Sequence, residues 1–155
     1  MSQAVITTIT LAVETALTAA AAGFSQTFVP VRTYDPVYDS KANLGLKVFV
    51  GSINEVIDLD AGTRGGLSQD LYTVQIGVFD QIARDPTTGA LSITQLDADL
   101  WLLQQIKDYF KQNTAAGDGV LIAIRNAPVY DRAQLDKTGT FYSIISLDYR
   151  LLRSF

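Results

Sequence analysis

The chain opens on a stretch in which Ile6, Ile9, Val13, Leu17 and Ala20 recur at steps of three and four, which predicts one face of an amphipathic helix. Ser2 is the expected N-cap. Gly23, after the run Ala19 to Ala22, is the expected stop, because glycine takes the left-handed conformation without a Cβ clash. The opposite face carries Thr and Ala instead of Lys and Glu, so this helix is not expected to be bathed in water all round.

Past Gly23 the texture becomes that of strand. Phe24 to Tyr34 is rich in Phe, Val and Thr, with Pro30 marking an edge strand or a bulge, and Asp35-Pro36 begins a turn. Leu44, Leu46, Val48 and Val50 alternate with Gly45, Lys47 and Phe49, the period of a second strand with one buried face. A polar, Gly-rich segment from Asp58 to Gln69 precedes a third strand. There Tyr72, Val74, Ile76 and Val78 form one face and Thr73, Gln75 and Gly77 the other. Asp85 to Gly89 is a turn-rich excursion. Thr94 with Asp97 reads as a capping-box-like start to a second helix, which carries Leu96, Leu100, Leu103, Lys107 and Phe110 on one face, with Ile106 and Tyr109 beside it. That helix is expected to end between Asn113 and Gly117. Two further strands follow, Val120 to Val129 and Thr140 to Leu152, joined by a polar segment from Tyr130 to Gly139. In the last strand Phe141, Ser143, Ile145, Leu147, Tyr149 and Leu151 share a face.

The order α-β-β-β-α-β-β, with no repeat or linker, predicts a single domain over residues 1–155. Its class is α+β, in two layers, with two helices packed on a mostly antiparallel sheet. The side of the sheet away from the helices also carries apolar groups: Phe49, Phe79 and either Ile144 or Ile145. It is therefore a candidate interface, unless twist and loops cover it.

Composition sharpens that picture. The chain is 48% hydrophobic and only 18% charged, against about 25% charged in ordinary soluble domains, so part of its surface is expected to be buried against copies or partners. It has no histidine and no cysteine. Ser-His-Asp and Cys-His nucleophilic catalysis and thiolate zinc sites are thereby excluded. The net charge of −4 argues against a phosphate-neutralising surface. The apolar N-terminal stretch is broken by Thr7, Thr8, Thr10 and Glu14 and lacks a basic leader, so neither a signal peptide nor a membrane span is expected, and the protein is read as soluble.

Few side-chain groupings offer chemistry. Asp58-Leu59-Asp60-Ala61-Gly62 resembles the start of a calcium loop, but Gln69 stands where the bidentate Glu is needed. Asp97 and Asp99 diverge on a helix. Asp58 and Asp60 could share a face of an extended segment. Neither pair has an apolar pocket around it in sequence that would raise one carboxyl. Gly62-Thr63-Arg64-Gly65-Gly66 lacks the Lys-Ser/Thr ending of a phosphate loop. It reads as a segment that orders on contact with a partner, with Arg64 at its tip facing a neighbour's carboxylate, or else as a plain flexible hairpin loop. Trp101 and Tyr109 are core or interface anchors on the second helix. In the terminal run Tyr149 to Phe155, Arg150 and Phe155 suggest an end that docks instead of fraying.

With these residues in place the chain resembles the tail-terminator (tail-completion) proteins of long-tailed bacteriophages. The Ala- and Thr-rich first helix, the strand ending Arg32-Thr33-Tyr34-Asp35-Pro36, and Lys47-Val48-Phe49-Val50 before a long loop carry the likeness. So do Tyr72 to Val78, Leu96 to Phe110 and Phe141 to Arg150. The resemblance implies a homohexameric ring on the head-proximal end of the tail tube. The ring would stop tube polymerisation, present a surface to head-tail connector proteins, and let DNA pass through its lumen without specific binding. It implies a virion protein assembled in the host cytoplasm, with no membrane, no cofactor and no enzymatic activity. The loop Asp58 to Gln69 would order in the ring. The competing expectations are another neck component (head-completion or connector-docking) or, from a different class, a small-molecule-binding α+β module, which would be marked by a ligand pocket holding a perturbed carboxylate.

Overall fold

The computed structural model describes residues 3–34, 45–58 and 67–154. A six-stranded sheet carries two long helices on one face, and the class is α+β as expected. Helix α1 (Val5–Ala20) buries Ile9, Thr10, Val13 and Leu17 and runs into a 3-10 turn at Ala21–Gly23. Ala4 occupies its N-cap without a side-chain bond, while Ser2 lies outside the described residues. The stretch Val5–Gly23, of mean hydropathy 1.6, is long and apolar enough to cross a membrane. Its sealed Ile9–Val13–Leu17 stripe is accounted for by packing on the sheet.

Strand β1 is only Val31–Arg32, beside Phe49 and Val50 and parallel to them. The expected long strand from Phe24 is instead irregular, because Pro30 has no N–H to give a ladder and the chain must first cross from α1 to the sheet edge. Strand β2 (Lys47–Asp58) and strand β3 (Leu67–Gln81) pair antiparallel. Both intrude into the predicted polar segment: Asp58 ends β2 opposite Gln69, and Leu67 to Gln69 belong to β3. These polar residues run as strand because the closing strand β6 (Thr140–Ser154) continues alongside them, from Gln81↔Thr140 to Leu67↔Ser154, and supplies ladder bonds.

Helix α2 (Ile93–Gln112) begins two residues earlier than the capping-box reading at Thr94. Its N-cap is Ser92, whose Oγ accepts the Gln95 N–H at 3.3 Å. Its buried stripe is Asp99, Leu102, Leu103, Ile106 and Phe110. Of the predicted stripe Leu103 and Phe110 are buried, whereas Leu96, Leu100 and Lys107 sit at the margins, and Trp101 faces solvent. Strands β4 (Ala115–Ala116) and β5 (Gly119–Arg125) complete the order β1-β2-β3-β6-β5-β4. The predicted polar connection 130–139 holds a third helix, α3 (Arg132–Thr138). Asp131 caps its N-terminus by accepting the Gln134 N–H at 3.1 Å, and Gly139 closes it at φ 69°.

Candidate assembly surface

Alternation along β3 and β6 sorts side chains onto two faces. Tyr72, Val74, Ile76, Val78, Phe141, Ile145, Leu147 and Tyr149 point to the helices and are sealed. The opposite face has three bands. At one end Phe79 lies directly across from Tyr142, the rings stacked at 4.4 Å, with Phe49 edge-on to Phe79 at 5.3 Å. Gly77 makes this possible: a Cβ there would come within 3.2 Å of the Phe79 ring, which lies over the bare backbone. Phe79 is therefore only 2% exposed. Gly51 has a separate reason, because a Cβ would stand 2.8 Å from the Thr33 carbonyl oxygen and push β1 off the sheet.

The middle band is polar. Arg125 grips Asp148 with two bonds of 2.9 Å, from Nε to Oδ2 and from Nη2 to Oδ1, and Thr73 donates to Asp148 Oδ1 at 2.7 Å. Burial alone would raise the Asp148 carboxyl, but the hydrogen bonds from Arg125 and Thr73 and the guanidinium charge outweigh it and leave the pKa lowered.

The third band is apolar again. Two register shifts flank the Thr73–Asp148 pair, between Ser52 and Asn54 in β2 and between Leu121 and Ala123 in β5. Each inserts one extra residue, and in both strands it is an exposed isoleucine, Ile53 and Ile122. Such bulges bend a strand and increase its twist. Beyond them Val56, Val120 and Leu152 are exposed, with Leu71 half-buried and Arg150 in solvent between them. The β5 edge belongs to the same region. β4 pairs with Gly119 and Val120 alone, so among the described residues no strand lies beside β5 from Ile122 onward.

The candidate residues fall as follows. Phe49 and Phe79 are in the aromatic band, Phe79 within it instead of on the surface. Ile144 joins them on this face, while Ile145 is core. Arg150 is exposed opposite Leu71 and Val120. Asp58 closes β2. Asp60, Arg64, Gly65, Gly66 and Phe155 lie outside the described residues. Sequence reasoning missed Ile53 and Ile122, since a bulge leaves no mark in a run that is merely β-branched.

One expectation is corrected. A carboxyl with a raised pKa does exist: Asp99, fully enclosed, is pushed up to about 7 by loss of solvation, then by contact with the Asp80 side chain, with the Gln26 amide acting the other way. A ligand pocket does not coincide with it. A cavity of about 30 Å³ lies over Gly51 and Gly77, one of about 350 Å³ beside Arg125 and Pro128, and one of about 490 Å³ between Val5 and Leu152. None of the three is lined by Asp80 or Asp99. No group of three or more metal-ligating side chains occurs among the described residues.

No protein-family model and no curated protein matches this chain. Among solved structures, the sheath/tube terminator of an extracellular contractile injection system (PVC), seen by cryo-electron microscopy in its extended state, aligns with 100% of this chain. The TM-score is 0.45 and the identity 11%, and the chain spans 58% of that protein.

Proposed function

We propose that this chain is a structural assembly protein of the tail-terminator kind. It forms a ring on the head-proximal end of a phage-type tail tube, ends tube polymerisation and offers the next surface to the head connector. The observation that carries the reading is the helix-free face of the sheet, with exposed Ile53, Val56, Val120, Ile122 and Leu152 running out to an unpaired β5 edge. Exposed apolar surface next to free ladder groups suits a neighbouring strand and its side chains. The other sheet edge, where Val29 just before β1 and Val31 within it are exposed, supplies a different partner surface, as a head-to-tail ring requires. The sequence resemblance adds the place of such a ring, on a tube end with DNA passing through. Capping the tube is then competition for the surface on which the next tube ring would grow, with no bond made or broken. Asp58, Asp60, Arg64, Gly65, Gly66, Arg150 and Phe155 remain candidate contacts of that assembly.

Negative-stain electron microscopy of the purified protein over a wide concentration range, alone and with tail tubes, tests the reading. Closed rings with a central hole, or caps on tube ends, are expected. Monomers under both conditions would overturn it.

A further inference from the structure

The contact between α2 and the segment that follows α1 combines aromatic packing, Phe24 standing edge-on to Tyr109 at 6.2 Å, with a set of polar contacts. Gln105 Oε1 accepts from both Ser25 N (3.0 Å) and Ser25 Oγ (2.7 Å), and Gln26 Nε2 donates to Asp99 Oδ1 at 2.9 Å. On the far side Gln95 is fixed in orientation, its Oε1 accepting the Ala83 N–H at 2.9 Å. Its Nε2 therefore points at Asp80 Oδ2, 3.0 Å away. Asp80 and Asp99 meet between these two amides, 5% and 0% exposed.

The remaining Asp99 oxygen, Oδ2, is buried with no donor among the described residues. The groups facing the pair are Asp80 from β3, Gln95 and Asp99 from α2, Gln26 from the segment and, across the ladder, Phe141 of β6. No Lys or Arg is ion-paired to either carboxylate among the described residues, and Asp97 on the same helix is exposed. Two buried carboxylates with no cation cannot both stay ionised cheaply, and an acceptor-only oxygen without a donor is itself costly.

We propose that Asp80 and Asp99 share a single proton, carried on Asp99 Oδ2 and donated to Asp80, and that this carboxyl–carboxylate clasp keeps segment 24–28 strapped to α2. One proton taken from solvent satisfies the orphan oxygen and removes the like-charge contact. When it leaves, Asp80 and Asp99 repel, and the Gln26 bond that ties the segment to α2 is strained. The clasp stands whether or not the chain assembles.

The linkage has a definite sign. The folded carboxyl is raised to about 7 from an ordinary 3.8, so the folded state holds the extra proton between those values. Stability falls as pH rises through that window and levels off above it, with the unfolding constant rising by up to about tenfold per pH unit.

Asp99→Asn tests the clasp, because its amide donates to Asp80 as the protonated acid does but does not titrate. Chemical denaturation of both proteins at about pH 5 and about pH 8 should show wild type losing stability relative to the variant by a factor of at least about tenfold in the unfolding constant. Amides of residues 24–28 should lose hydrogen-exchange protection over that range in wild type alone. Parallel pH profiles would overturn the clasp. So would stabilisation of wild type, but not of the variant, by Mg²⁺ or Ca²⁺ at about pH 8, which would make the pair a cation site. Should the variant fail to fold, infrared spectra of wild type with isotope-labelled Asp decide. A protonated carboxyl band at about pH 5.5 that disappears by about pH 8 is expected, and its absence at the lower pH sinks the idea.

Discussion

The two faces of the β3–β6 ladder are made by alternate residues of the same strands, yet they are built on different rules. On the helix side every apolar residue from Tyr72 to Val78 and from Phe141 to Tyr149 is sealed, and the helices close over them with Leu17, Leu102, Leu103, Ile106 and Phe110. On the other side aromatic, polar and aliphatic bands follow one another, and the last leaves Ile53, Val56, Ile122 and Leu152 in solvent. The carboxylates differ in the same way. Asp99, on the helix side, has no ion-paired cation among the described residues and is held up by burial, whereas Asp148, on the open side, is pinned by Arg125 and held down. A side chain's worth to the fold is thus set by the face it occupies more than by its type.

The comparison breaks first if the helix face proves soft. Leu103→Ala removes a fully buried side chain between α2 and the sheet and should cost about 3 kcal/mol in denaturant unfolding. A loss under about 1 kcal/mol would mean that the site collapses around the gap. Next comes the sheet edge. Gly51→Val puts a Cβ 2.8 Å from the Thr33 oxygen, a backbone atom with little freedom, so β1 should detach at a cost of about 2 kcal/mol. Gly77→Ala meets only the Phe79 ring at 3.2 Å, a side chain that needs to give by a few tenths of an ångström where Gly51→Val presses on backbone, and should cost less. Equal losses would show that the aromatic band is as rigid as the backbone. Ile122→Asp on the open face should change stability by less than about 0.5 kcal/mol while abolishing rings or tube caps. A destabilised monomer would instead assign Ile122 to the fold.

The two faces also differed in how legible they were. Period-two alternation in Tyr72 to Val78 and Phe141 to Tyr149 identified the buried side correctly, because a hydrophobic layer imposes its period on the sequence. The α2 stripe was read correctly at Leu103 and Phe110 but misplaced at Leu96, Leu100 and Lys107. Phased on Leu102, Ile106 and Phe110 it would have placed Asp99 in the core and raised the question of its partner. That partner, Asp80, and the amides of Gln26 and Gln95 come from three distant stretches, which no local pattern connects. Helix α3 was missed although Asp131 and Gly139 mark both ends, since seven residues carry barely two turns of period. Strand β1 was overextended because β-rich composition without a ladder partner is only extended chain. The bulges at Ile53 and Ile122 are tertiary facts, set by how β2 and β5 meet the central pair.

The smallest effect sharpens the comparison most, because its sign is opposite to that of the clasp. The Asp148 carboxyl is lowered by Arg125 and Thr73, so the stability it contributes is present above the ordinary carboxyl range and lost as pH falls through its folded value. Asp148→Asn should therefore be less stable than wild type at about pH 6 and should converge with it as the pH approaches about 2. Asp99→Asn diverges from wild type in the other direction, on the alkaline side. Because the Arg125 side chain is 60% exposed, the Asp148 difference should also shrink in about 1 M salt, where the guanidinium charge is screened within a few ångströms. The Asp99 difference, sealed from ions, should persist in the same salt. If both respond alike to salt, the helix-side pair is open to solvent and the distinction between the two faces fails at the point where it was drawn.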